Sequence, residues 1–107
     1  TSLQHAARLT EYDRAALIAR RTMDELLLDS RMPYAIPVER RFEPSRTGME
    51  GGWRAVLSRF EAPPLTPPGT PVLDRLELEV WWMSGARRRS ISLEGFRRGV
   101  VPPPAAE

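Results

Sequence analysis

From Leu3 to Arg31 the chain contains neither proline nor glycine, and Leu9, Tyr12, Ala16, Ala19, Met23 and Leu26 recur at spacings of three and four residues. That spacing lays them along one stripe of an α-helix. Glu11, Asp13, Arg14, Arg20, Arg21, Asp24, Glu25 and Asp29 supply a polar back, while Ile18 and Leu27 widen the apolar side, so the helix is expected to be amphipathic. Pro33 disfavours helical geometry at Met32 and predicts an end near Ser30 to Met32. At about 1.5 Å per residue such a helix is roughly 45 Å long, more than the ~30 Å width of a compact domain of this size. One end should then overhang. The N-terminal half is the poorer in large apolar groups, so residues 18–28 are expected to pack on the domain and the other half to face a partner.

After the helix the period changes from 3.6 to 2. Residues 32–52 read as an irregular connection with a short edge strand at Val38 to Phe42. Trp53, Ala55 and Leu57 alternate with Arg54, Val56 and Ser58, which predicts a strand over 53–61. Residues 62–71 hold five prolines and a glycine and form an extended surface loop. Residues 72–83 alternate most clearly, with Leu76, Leu78, Val80 and Trp82 on one face and Arg75, Glu77, Glu79 and Trp81 on the other. Ser84 to Arg87 supply a tight turn, and Arg89 to Phe96 resume the alternation through Ile91 and Leu93. Gly95 suggests a bulge or the end of pairing, and residues 98–107 read as a flexible tail. The predicted fold is α+β: one domain over 1–107, a long N-terminal amphipathic helix (1–31) packed on a small antiparallel sheet that runs as a meander of about three strands over 53–97. Its core is Leu76, Leu78, Val80, Trp82, Ile91, Leu93, Met23, Leu26 and Leu27.

Composition narrows the function. With 107 residues there is material for one core only. The absence of cysteine excludes disulfides, thiolate zinc sites and a thiol nucleophile. All 16 basic residues are arginine, but 14 acidic residues are interleaved and the net charge is +2, too weak a field to draw in nucleic acid. His5 is the sole histidine, with no nucleophile beside it. Asp24, Glu25 and Asp29 do not make a calcium site, because Asp24 and Glu25 point different ways on a helix and a calcium loop needs acidic residues at alternating positions round a glycine turn. The expectation is no catalytic residue, no cofactor and no metal, hence no enzyme. The start at Thr1 rather than methionine suggests removal of an N-terminal segment. Trp81, on the outer strand face, has the character of an interface anchor unless residues 34–42 cover it. Arg87, Arg88 and Arg89 beside Trp81 are the best argument for a nucleic-acid module, set against Glu77 and Glu79 on the same face.

Two segments carry a resemblance. The helix end Ala19 to Ser30 (ARRTMDELLLDS) resembles the acidic-leucine ending in minor pseudopilins of the type II secretion system. Arg75 to Phe96 (RLELEVWWMSGARRRSISLEGF) resembles the final hairpin of the I-type subunit, and Trp53, opening a strand after a glycine loop, fits the same family. The resemblance implies a pilin-like build and a structural protein of the pseudopilus tip. It further implies an inner-membrane anchor through a missing N-terminal segment, a domain in the periplasm, and J-type and K-type minor pseudopilins as partners through the helix. The partner-binding residues would be Leu9, Tyr12, Ala16, Ala19 and Trp81. The other readings are a minor pilin of a type IV pilus, a small protein-binding adaptor and, least favoured, a nucleic-acid-binding module.

Overall fold

The computed structural model describes residues 2–61 and 67–101, with side chains from Thr10 onward and only the backbone of Glu61. The order of elements is α1 (Ser2–Leu28), β1 (Val38–Arg41), α2 (Pro44–Thr47), β2 (Gly51–Glu61), β3 (Pro71–Ser84) and β4 (Arg87–Val100). The strands form one antiparallel sheet in the order β1-β2-β3-β4. Its register slips once, between Arg59 and Glu61, whereas β3 and β4 pair without interruption from Pro71↔Val100 to Ser84↔Arg87.

This arrangement overturns the expected long helix on a small sheet. The sheet is the larger element, with strands of 11, 14 and 14 residues beside the short edge strand. The helix whose side chains are described, residues 10–28, packs on it only through a short stretch, with Ala15, Ala19, Thr22, Met23 and Leu26 buried. The sheet has four strands rather than three because β1 pairs with β2, and β4 runs to Val100 and pairs with the start of β3, where a flexible tail was expected from residue 98. Val101 continues that closure by donating to Thr70 O and accepting from Gly69 N. Residues 32–52 also hold more structure than a connection. They contain β1, the start of β2 and the single turn α2, which has proline in its first turn and ends on Gly48 at φ +70.

The inner face of the sheet carries the core. Ala55, Leu57, Leu76, Leu78 and Val80 pack with Ala19, Met23, Leu26 and Met32, and a second cluster joins Ala15, Met49 and Trp82. Leu27, Ile91 and Leu93 are half-buried at the margin. Burial of each large apolar side chain contributes about 1.5–3 kcal/mol. Gly95 does not break the pairing, for it sits opposite Leu76 in regular register. Its role is space: a Cβ there would lie 2.7 Å from Met23 Sδ and 3.3 Å from Leu27 Cδ1, so the missing side chain lets α1 lie close to β4.

One charge stands in the apolar row. Asp74 is fully buried on the inner face of β3. Its Oδ2 accepts a 2.6 Å hydrogen bond from the Tyr34 hydroxyl and lies 3.7 Å from Arg97 Nε, while Oδ1 faces Arg59 Nε at 4.0 Å. Arg97 Nη1 in turn donates to the Asp29 and Leu27 carbonyls at 2.9 and 3.4 Å. The last turn of α1 holds no basic residue. Arg97 therefore supplies from β4 the positive charge and the donors that a helix C-terminus lacks.

Candidate functional site

Two open surfaces flank this core. On α1, one turn advances about 3.6 residues, so Leu17 and Leu28 fall together on the side opposite Ala15, Ala19 and Leu26. Leu17 is 51% and Leu28 86% exposed, and Tyr12 is 52% exposed while meeting the Trp82 ring edge-on at 6.3 Å. Of the expected helix residues, Tyr12 is open and Ala16 half-buried. Ala19 is fully buried in the domain's own core, so it is not available to a partner. Its small size serves the close approach of α1 to its own sheet. The side chain of Leu9 and that of His5 lie outside the described residues. Leu17 falls off the main apolar stripe and so is not among the residues expected to bind a partner; projection on a helical wheel places it on the opposite side.

The second surface is the face of the sheet turned away from α1. Trp81 projects there and is half-buried. Its indole lies across Gly52, where a Cβ would be 3.2 Å from Nε1. The Arg88 guanidinium carbon stands 4.3 Å and that of Arg41 5.4 Å from the ring centroid. Strand β1 thus covers part of Trp81 through Arg41, and Arg88 covers more of it from β4. Such contacts each contribute about 0.5–1 kcal/mol at exposed sites.

Two ion pairs lie on this face. Arg54 meets Glu39 at 3.3 Å and Arg75 meets Glu77 at 3.2 Å. At the centre, Glu77 and Glu94 stand directly opposite each other. Alternation also divides the Arg87 to Arg89 run: Arg88 joins Trp81 on the outer face, and Arg87 and Arg89 point to the other. The three arginines therefore do not make one phosphate-binding patch. Among the described residues no group of three potential metal ligands converges, and no helix is long and apolar enough to cross a membrane. Compared with protein-family models, curated proteins and solved structures, the chain matches none of them.

Proposed function

We propose that this chain is the assembly domain of a non-enzymatic minor pseudopilin of the type II secretion system, the I-type subunit. It would join J-type and K-type partners through α1, sit in the periplasm, and reach the inner membrane through a segment preceding Thr1. The sheet-dominated build departs from the plan the resemblance implied. The reading therefore rests on the segments Ala19 to Ser30 and Arg75 to Phe96, and on the open side of α1. The observation that carries it is the pair Leu17 and Leu28, large apolar side chains exposed on the side that a solvated amphipathic helix fills with polar groups. A second helix packed along that side would bury both.

The test is co-purification with the J-type and K-type subunits of the same system. Leu17→Arg should change the domain's stability by less than about 0.5 kcal/mol, as surface substitutions usually do, and should abolish capture of the J-type subunit. Capture that survives Leu17→Arg and fails on Trp81→Ala would instead support a protein-binding adaptor that works through the sheet.

A further inference from the structure

The sheet ends on β4, and among the described residues nothing pairs with its outer side. The other edge, β1, is four residues long, whereas β4 has fourteen with no proline and no slip of register. The direction of its free hydrogen-bonding groups follows from the ladder. Met83 N donates to Glu50 O on the β2 side, so the odd-numbered residues of β3 bond toward β2 and the even-numbered ones toward β4. Ser84 stands opposite Arg87 across the Gly85-Ala86 turn, with Gly85 at φ +62. The odd-numbered residues of β4 are thereby used by β3. Ser90, Ser92, Glu94, Phe96 and Arg98 direct their N–H and C=O groups outward, and all five are exposed. A strand edge of this kind is a template for one more strand.

Charge decides what fits. The middle of the edge, from Ser90 to Phe96, is mostly neutral, and exposed Arg88 and Arg98 bracket it on the outer face. A second copy paired over the whole edge, about Leu93 or Glu94, would set Arg88 against Arg98 at both ends or Glu94 against itself; pairing about Ile91 or Phe96 would set an arginine against Glu94, but over only nine residues of β4. Like charges directly opposite are destabilising. We propose that the free edge of β4 takes an extended strand of another protein whose alternating apolar and polar middle is bracketed by acidic residues. This inference uses no property of α1 and is independent of the assembly reading above.

The probe is a fluorescent peptide of about eleven residues, the span from Arg88 to Arg98 at about 3.3 Å per residue. It alternates valine and threonine between acidic ends, with a lysine-ended version as comparison. Fluorescence anisotropy should show the acidic-ended peptide binding about tenfold more tightly, the sum of a few cross-strand charge pairs. Arg88→Glu combined with Arg98→Glu should reverse the preference. Ser92→Pro removes one outward N–H without touching the bonds to β3; it should leave the circular dichroism melt in place and abolish binding. Should Ser92→Pro fail to fold, the charge reversal alone decides. Equal binding of the two peptides, no binding of either, or full binding by folded Ser92→Pro overturns the proposal. So does a concentration-dependent dimer that Ser92→Pro dissociates, since the edge would then belong to a second copy.

Discussion

Replacing Asp74 with alanine strips a fully buried carboxylate from three partners at once. The Tyr34 hydroxyl loses a charged acceptor, an interaction of about 1.5–3 kcal/mol. Arg59 and Arg97 lose their counter-charge, but their side chains are 29% and 18% exposed and can hydrate in part. That places the total near the lower end of the range for breaking a buried ion pair, about 3 kcal/mol, against a whole-domain stability of about 5–15 kcal/mol. In melting temperature this is a fall of roughly 12–25 °C. Asp74→Asn keeps an acceptor for Tyr34 and should cost about half as much. The assay is urea unfolding followed by tryptophan fluorescence, with buried Trp82 as reporter. A double-mutant cycle isolates the tyrosine: Tyr34→Phe should cost about 1.5–3 kcal/mol in the natural chain and well under 1 kcal/mol beside Asp74→Ala. A loss below about 1 kcal/mol for Asp74→Ala, or an equal cost of Tyr34→Phe in both backgrounds, would refute the view that this carboxylate ties the end of α1 to the sheet.

Leu78→Asp puts a charge at a position 2% exposed in the middle of β3 and should abolish the cooperative melt, because an unpaired buried carboxylate costs several kcal/mol. Arg97→Ala removes the donors to the Leu27 and Asp29 carbonyls; hydrogen exchange should accelerate in the last turn of α1 well before it changes in β2. Gly95→Val would push on Met23 and Leu27 and should cost about 1–3 kcal/mol in a chemical melt, as overpacking does.

Much of the sheet was legible because alternation is a local signal. Leu76, Leu78, Val80 and Trp82 face inward as their spacing dictates, and Trp81 faces out. Asp74 belongs to the same inward row, but a carboxylate hides its phase until partners are found. Extending the Ser84/Arg87 hairpin residue by residue would have placed Arg97 opposite it, and would have carried β4 through the two arginines and Gly99 that read as a fraying tail. Gly95 is ambiguous in sequence for a different reason. A glycine that ends a strand and a glycine that admits a helix have the same local sequence, and only the position of Met23 separates them. Ala19 has the same ambiguity, since small size suits a partner's helix and the chain's own sheet equally. The open side of α1 was the least legible, because Leu17 and Leu28 form no regular apolar stripe.

The most direct test of the assembly reading is photo-crosslinking in cells that make the whole secretion apparatus, with a benzophenone amino acid placed at Leu17 in one strain and at Trp81 in another. A crosslinked product with the J-type subunit is expected from position 17, with little or none from position 81. A product from position 81 alone, or no product with any minor pseudopilin from position 17, would contradict that reading.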